Sequence, residues 1–241
     1  WEINAGGTQS YFEQPVVSDG QVFLVRSNSL NYRPTWNYGV ESRSVADGAL
    51  IWSKDKPPRH HFGPLTVAGS ELYVVREESG VHAPVSSPGA SLDAYDGKTG
   101  EALWQRGFSS QSTRFYPPPV VVGDRIWINS GQYDGFSGYE RSNGELLFHV
   151  PKPNTSGAEQ FWPMYLNGRL YSGYTGYLKE YDSSSGAVLR TVDIGVDNGW
   201  RKLVAADDIA LVRDAHHLNA VDLKTFTRAW GNGFGGASPP A

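Results

Sequence analysis

The sequence predicts an all-β protein built from repeated four-stranded antiparallel units, and three observations support this prediction. Glycine, proline and aromatic residues are abundant, with 28 Gly, 15 Pro, 13 Tyr and 8 Trp among 241 residues. No stretch longer than a few residues has the apolar spacing of an amphipathic helix. One short segment recurs along the chain at intervals of 40 to 52 residues. A period of this length in a β-rich chain is typical of repeated β units.

The recurring segment consists of a polar residue, a turn that contains glycine, and a strand that ends in a large residue. Its four regular copies span 44–52, 95–104, 141–148 and 182–190, and a fifth copy at 222–230 lacks the glycine. The copies end at Trp52, Trp104, Phe148, Arg190 and Trp230. An Asp side chain accepts hydrogen bonds from a tight turn, and glycine takes the positive φ that the turn requires. Each copy therefore predicts a hairpin.

A second hairpin precedes each copy, and two hairpins form one four-stranded blade of a β-propeller. The upstream hairpins span 15–25, 64–74, 119–128, 163–171 and 203–211. The sequence predicts one propeller domain over residues 1–241 with about five blades, approximately at 11–54, 62–107, 115–151, 161–194 and 200–232. Residues 1–5 and 237–241 are interpreted as remnants of missing blades. The parent propeller is therefore expected to have about six to eight blades.

The motif Leu-x-Ala-x-Asp, followed by x-x-Thr-Gly, three residues and Trp, resembles the repeat of pyrroloquinoline-quinone-like (PQQ-like) propellers. Residues 92–104 are the copy that matches best, and the resemblance covers nearly the whole chain. In that family the Trp of one blade docks against the Thr-Gly turn of its neighbour. The resemblance implies docking roles for Trp1, Trp52, Gly100, Trp104, Gly144, Phe148, Gly186 and Trp230. Arg190 departs from the pattern, which leaves the contact at the fourth copy open.

The connections between strands identify one face of the predicted propeller as its binding face. If the strands of a blade are lettered A to D, the A–B and C–D turns share one face and are uniformly short. The B–C loops on the other face vary widely, from 172–176 to 27–39 and 77–91. Variable insertions on one face of a repeat protein are typical of a binding face.

The D–A loops reach that same face, and each ends in aromatic and polar residues just before its first strand. This pattern predicts a collar of ligand-contacting residues at the mouth of the channel. The collar comprises Phe12, His60, His61, Phe62, Arg114, Phe115, Tyr116, Gln160, Phe161, Trp162, Trp200 and Arg201. The alternative is that these aromatic side chains are plugs that close the axis, because aromatic residues dominate buried packing.

Composition and charge exclude several classes of partner. The 21 Lys and Arg against 25 Asp and Glu give a net charge of −4, so no basic surface is available for nucleic acid. The absence of cysteine excludes disulfides and thiolate metal sites. No apolar run approaches the roughly 18 residues of a transmembrane helix. The resemblance implies a periplasmic or extracellular bacterial protein whose export signal lies outside this sequence.

No catalytic motif or metal site is assigned from the sequence. Adjacent histidines in a strand point to opposite faces, so neither His60 and His61 nor His216 and His217 can chelate one ion together. The sequence contains no nucleophile elbow, phosphate-binding loop or two-histidine zinc helix. We therefore expect neither a metal nor a cofactor.

Three functions are compatible with the sequence. The first is a non-catalytic scaffold that binds a protein or carbohydrate ligand through the loop face and needs no special residues. The second is a PQQ-dependent alcohol or sugar dehydrogenase, although the vicinal cysteines and the calcium-binding carboxylates of that class are not visible. The third is a carbohydrate-active propeller such as a polysaccharide lyase, which could use His60, His61, Arg114 and Tyr116. We favour the scaffold because it requires the fewest absent residues.

Overall fold

The computed structural model describes residues 2, 10–12, 14–28, 39–55, 60–78, 89–108, 117–130, 135–151, 162–174, 176–195, 202–213 and 217–233. Within these ranges the chain consists of strands and turns without a helix, and the strands form five antiparallel sheets. The prediction of an all-β fold with about five four-stranded blades is confirmed.

The five sheets follow one another along the chain, and each is a meander of sequential strands. The first sheet contains β1 (Ser10–Phe12), β2 (Val16–Ser18), β3 (Gln21–Asn28), β4 (Gly39–Ser44) and β5 (Leu50–Asp55). The second contains β6 (His60–Ala68), β7 (Glu71–Glu78), β8 (Ala90–Asp96) and β9 (Ala102–Phe108). The third contains β10 (Val120–Val122), β11 (Arg125–Asn129), β12 (Gly135–Glu140) and β13 (Leu146–Pro151). The fourth contains β14 (Trp162–Leu166), β15 (Arg169–Tyr174), β16 (Tyr177–Tyr181) and β17 (Val188–Asp193). The fifth contains β18 (Lys202–Ala206), β19 (Ile209–Arg213), β20 (His217–Asp222) and β21 (Thr227–Gly233).

The first sheet differs from the others in having an interrupted first strand. Both β1 and β2 pair with β3, so together they occupy the place that one strand fills in the other sheets. Pro15 lies between them, and proline has no N–H to donate to a ladder.

Two-residue turns join the first and second strands of every sheet. Asp19 and Gly20 form the first of these turns with φ of 48° and 75°, and Asn167 and Gly168 repeat it with 49° and 80°. Two successive positive φ angles are characteristic of the type I′ turn, whose twist matches that of the flanking strands.

The turns between the third and fourth strands also follow one pattern. In the turns that begin at Ser44, Asp96, Glu140 and Asp182, the glycine four residues later donates its N–H to the first residue's carbonyl oxygen at 2.8–2.9 Å. These glycines have φ of 70–73°, and in the fifth sheet Phe226 takes their place with φ of 56°. Both kinds of turn lie at one end of each sheet, which we call the turn end. The opposite end, where the second strand leads to the third, is the loop-bearing end.

The chain divides into two compact units, each with its own core. One unit is Trp1–Ile126 with Glu140–Glu145, and the other is Trp127–Tyr139 with Leu146–Ala241. In the first unit, Phe23, Val40, Trp52, Phe62, Leu65 and Leu72 belong to one buried cluster. In the second unit, Tyr171, Leu178, Leu203, Val212, Val221 and Phe226 belong to another.

Trp52 of β5 docks against the turn of the second sheet. Its Nε1–H donates to the carbonyl oxygen of Gly97 at 2.8 Å. The ring covers Gly100, where a Cβ would lie 2.7 Å from Trp52 Cδ2. No side chain fits at Gly100 while the indole is in place. We call the acceptor the docking carbonyl; it belongs to the residue directly after the first residue of the turn.

Trp104 of β9 repeats this contact on the turn Glu140–Gly144. Its Nε1–H donates to the docking carbonyl of Arg141 at 3.0 Å, and a Cβ on Gly144 would lie 2.5 Å from Trp104 Cε3. The Arg141 side chain adds a second contact, because its Nε donates to Glu71 Oε2 at 2.7 Å and to the Tyr73 hydroxyl at 2.9 Å.

The third copy divides the contact between two residues. The Phe148 ring covers Gly186, where a Cβ would lie 2.5 Å from Phe148 Cδ2, but phenylalanine has no N–H to donate. Trp127 of β11 supplies the donor, and its Nε1–H reaches the docking carbonyl of Ser183 at 3.3 Å. Ring packing and hydrogen bonding are therefore both preserved, although they come from different strands.

At the fourth copy a guanidinium makes the contact. Arg190 of β17 donates from Nη2 to the docking carbonyl of Leu223 at 3.0 Å and from Nη1 to the Lys224 carbonyl at 3.1 Å. Its Cζ lies 4.5 Å from the ring centre of Phe226. The contact that the sequence left open therefore exists, with a cation over an aromatic ring instead of an indole over a glycine.

Trp230 of β21 stands at the equivalent position of the fifth sheet and is 47% exposed. Within the described ranges, no turn covers it. Trp1, the other residue with an implied docking role, lies outside the described residues.

Candidate interaction site

Most of the predicted collar lies outside the described residues. This applies to Arg114, Phe115, Tyr116, Gln160, Phe161, Trp200 and Arg201. The backbone of Phe12, His60 and His61 is described, whereas Phe62 and Trp162 are described with their side chains.

The placement of His60, His61 and Phe62 in a loop before the first strand is wrong. They lie within β6, where His60 is opposite Glu78, His61 opposite Glu77 and Phe62 opposite Arg76. The register shifts between Phe62 and Leu65, which allows pairing to continue across Gly63 and Pro64 although proline cannot donate to the ladder. Phe12 likewise lies in a strand, β1, opposite Arg26.

Phe62 and Trp162 pack against the cores of their units. Phe62 is 3% exposed and belongs to the same cluster as Trp52 and Leu65. Trp162 begins β14 and packs against the cluster of the second unit. Its Nε1 is buried, and no hydrogen-bond partner reaches it from the part of the chain that the structure describes. Phe62 is therefore buried in the core of its unit and is not available to a ligand.

A buried polar network occupies the loop-bearing half of the second sheet, and the sequence did not predict it. Arg76 Nε lies 3.1 Å from Asp93 Oδ2, and Asp93 is 3% exposed. Ser91 donates to Asp93 Oδ1 at 2.6 Å, and Gln105 Nε2 donates to Ser91 Oγ at 3.1 Å. A buried carboxylate is tolerated when it is paired and hydrogen-bonded in this way.

Tyr95 completes this network from the neighbouring position of β8. Its hydroxyl donates to Asp93 Oδ2 at 3.1 Å. Burial, followed by the charge of Asp93 and this hydrogen bond, raises the pKa of Tyr95 above its ordinary value. The phenol therefore stays protonated and remains a donor at neutral pH.

The third sheet carries a smaller polar chain near the same end. Ser130 Oγ and Ser137 Oγ are 2.6 Å apart, and Ser137 Oγ lies 2.9 Å from His149 Nδ1. Ser130 and Ser137 are buried, whereas His149 is exposed. Each of these two sheets thus contains, near its own loop-bearing end, polar side chains that hydrogen-bond to one another within the sheet.

The described residues do not form a metal centre. Among them, no group of three or more His, Asp or Glu side chains is placed to hold an ion. The same part of the chain contains no helix with the length and hydropathy needed to cross a bilayer.

The sequence matches a protein family over most of its length. The model of the family described as outer membrane protein assembly factor BamB matches residues 1–232. A curated relative, tetrathionate hydrolase of Acidithiobacillus ferrooxidans, is 26% identical over 196 residues, which cover 76% of this chain and 38% of that protein. The chain therefore spans well under half the length of this relative.

Solved structures share the fold at low sequence identity. BamB from Moraxella catarrhalis superimposes with a TM-score of 0.62 at 15% identity, over 93% of this chain and 78% of that one. A europium-containing methanol dehydrogenase has a TM-score of 0.67 at 12% identity, over 97% of this chain and 53% of that one. These similarities establish the architecture, which is common to proteins of different activity.

Proposed function

Because this chain belongs to the PQQ-like repeat family described as outer membrane protein assembly factor BamB, we propose that it is a non-catalytic protein-binding scaffold of the bacterial cell envelope. The family match over residues 1–232 is the observation that carries the proposal. Its partner, in this proposal, is a protein component of outer-membrane assembly, bound through the loop-bearing ends of the sheets.

The construction of the sheets supports a binding role at the loop-bearing end. The turn end is nearly uniform, with two-residue turns and one repeated glycine turn. Docking contacts to successive turns hold the sheets against their neighbours within each unit. Variable connections that join the strands of a regular framework are typical of a binding surface.

The dehydrogenase remains a weaker alternative. It would need residues that hold PQQ and calcium, and no described group of carboxylates or histidines fits the metal. The carbohydrate alternatives gain no support from the similar proteins.

Site-specific photocrosslinking tests the scaffold proposal. Tyr177 is 40% exposed at the start of β16, at the loop-bearing end, and Lys98 is exposed in a turn of the opposite end. A benzoylphenylalanine replaces either Tyr177 or Tyr116, with Lys98 and Ser142 as matched controls at the turn end, in cells that produce the full protein. We expect Tyr177 and Tyr116 to give the same adduct, identified by mass spectrometry as an outer-membrane assembly component. Equal yields of that adduct from Lys98 and Ser142, or no protein adduct at any position, would reject the loop-bearing end as the binding surface.

A further inference from the structure

Arg26 and Arg76 occupy the same place in the first and second sheets. Arg26 pairs with Phe12 on one side and with Gly39 on the other. Arg76 pairs in the same way with Phe62 and with Ser91. Each arginine therefore stands on the second strand, close to the loop-bearing end, beside a phenylalanine of the first strand.

The second sheet shows what an arginine at this position binds. Arg76 is paired with the Asp93 carboxylate at 3.1 Å, and its Nε lies 3.3 Å from Ser91 Oγ. Gln105 and Tyr95 fix these acceptors from neighbouring positions. The site is a complete receptor for one carboxylate, which the sheet itself provides.

The first sheet keeps the arginine and loses both acceptors. Glu41 is the equivalent of Asp93, but Arg43 holds its two oxygens, from Nε at 3.1 Å and from Nη2 at 3.3 Å. Gly39 is the equivalent of Ser91 and has no hydroxyl. Among the described residues, no partner reaches the buried Nε of Arg26.

The loss of the serine is part of the local backbone geometry. A Cβ on Gly39 would lie 2.5 Å from the Lys54 carbonyl oxygen, so no side chain fits at this position while β4 and β5 are paired. The first sheet therefore cannot rebuild the acceptor of the second. A buried donor without an acceptor costs free energy that an external acceptor would recover.

We propose that Arg26 binds a carboxylate of the protein partner, supplied by an acidic side chain. The inference rests on the proposed scaffold function, and it names a contact residue and the chemistry of the group bound there. Arg76 provides the reference, because an aspartate fills the same place beside it. Arginine binds carboxylates through charge-assisted hydrogen bonds, which are the stronger kind.

Arginine-selective labelling with phenylglyoxal, followed by peptide mapping, measures whether Arg26 is free and what protects it. We expect Arg26 to react about tenfold faster than Arg76, as loss of one charge-assisted bond implies. The probes at equal concentration are acetyl-Glu-Gly-Glu-amide, its Gln-Gly-Gln counterpart, acetate and inorganic phosphate. Protection of Arg26 by the acidic peptide alone supports the proposal. Equal rates for the two arginines, or protection by phosphate and acetate as strong as that by the peptide, would overturn it and indicate an adventitious ion only.

Arg43→Gln provides a matched variant within the same sheet. It releases Glu41, which is then free to pair with Arg26, so labelling of Arg26 should slow and the peptide should lose its effect. Unchanged labelling in this variant would contradict the assigned role of Arg43. Failure of the Arg26 site is distinguishable from failure of the scaffold, because the Tyr177 crosslink reports partner binding without reference to Arg26. A persistent crosslink with unprotected Arg26 rejects the carboxylate site alone.

Discussion

Trp127 donates its indole N–H to the carbonyl oxygen of Ser183 and so provides the hydrogen bond that Phe148 cannot make. Trp127 is 1% exposed and stacks on Tyr165 with ring centres 5.4 Å apart. The acceptor is the docking carbonyl of the fourth sheet, which corresponds to Gly97 and Arg141 in the earlier copies. The same acceptor is thus satisfied at successive turns, although the donor changes strand and residue type.

Replacing Trp127 with Phe should destabilise the protein by about 1–3 kcal/mol, because it leaves the Ser183 carbonyl without its donor. Phe148→Trp brings a donor to the position it has in the first two sheets, with Gly138 opposite it on the neighbouring strand. The cost of Trp127→Phe should therefore be smaller when Phe148→Trp is also present. Urea unfolding of the four proteins in a double-mutant cycle measures this coupling. Additive free-energy changes would show that the two residues do not share an acceptor.

Arg190→Trp should be destabilising even though it restores the repeat pattern. Glu180 is 2% exposed, and it depends on Arg190, whose Nε donates to Oε2 at 2.6 Å, and on Arg169 at 3.5 Å. Removing one partner of a buried ion pair costs on the order of 3 kcal/mol.

Glu180→Ala in the same chain should recover most of that loss, since Ala94 and Ala220 occupy the equivalent position in the second and fifth sheets. Urea unfolding of the single and double variants measures this recovery of the free energy of unfolding. If the double variant is no more stable than Arg190→Trp, the buried carboxylate is not the cause.

Gly144→Ala should destabilise the protein more than Gly20→Ala, although both glycines have a positive φ, of 70° and 75°. At Gly144 the new Cβ would lie 2.5 Å from the Trp104 ring, whereas nothing lies within 4 Å of one at Gly20. Backbone strain of about 1–2 kcal/mol applies to both, and overpacking adds about 1–3 kcal/mol at Gly144 alone. Equal midpoints of urea unfolding for the two variants would mean that the indole can move away without cost.

The turn carboxylate of Asp182 should make stability depend on pH in the acid range. Hydrogen bonds from the side chains of Ser184 and Ser185, followed by their backbone N–H groups, lower the pKa of Asp182 to about 2. The unfolded value is about 3.9, so the stabilisation is complete above that pH and is lost as the pH falls towards about 2. The difference in melting temperature between the native protein and Asp182→Ala should therefore be largest above pH 5 and should shrink below pH 4. A difference that is constant over this range would exclude the carboxylate as its source.

The repeat made the fold predictable because each sheet has the same local chemistry. Residues 96–104 contain all the elements of this chemistry. They are Asp96, which begins the turn, Gly100, which takes a positive φ, and Trp104, the large residue eight places after Asp96. Two contacts could not be predicted in this way. The hydrogen bond that Phe148 cannot make comes from Trp127 on another strand, and the contact of the fourth copy comes from Arg190, which is a different residue type from tryptophan.

The polar network was missed because its members are spread over three strands. Arg76, Ser91 and Gln105 approach one another only through strand pairing. The sequence did contain a signal that Arg26 and Arg76 are equivalent, because the same interval of 50 residues separates Phe12 from Phe62 and Arg26 from Arg76. The collar prediction placed His60 and Phe62 in a loop before the first strand, because it took Pro64 as the start of a strand that begins at His60.

Within the described ranges, each docking contact runs from one sheet to the turn of the sheet that follows in the sequence. The donor lies on the last strand except at the third copy, where Trp127 of the second strand donates. At the first, second and fourth copies the donor and the acceptor are 45, 37 and 33 residues apart, which is less than one repeat. A segment cut from one docking residue to the next therefore contains one donor and one acceptor. Tandem duplication or deletion of such a segment changes the length of the gene product without leaving an unmatched surface at the join. A break between two strands of the same sheet would instead separate strands that pair with each other. Lineages of such proteins should accordingly vary in length by whole repeats.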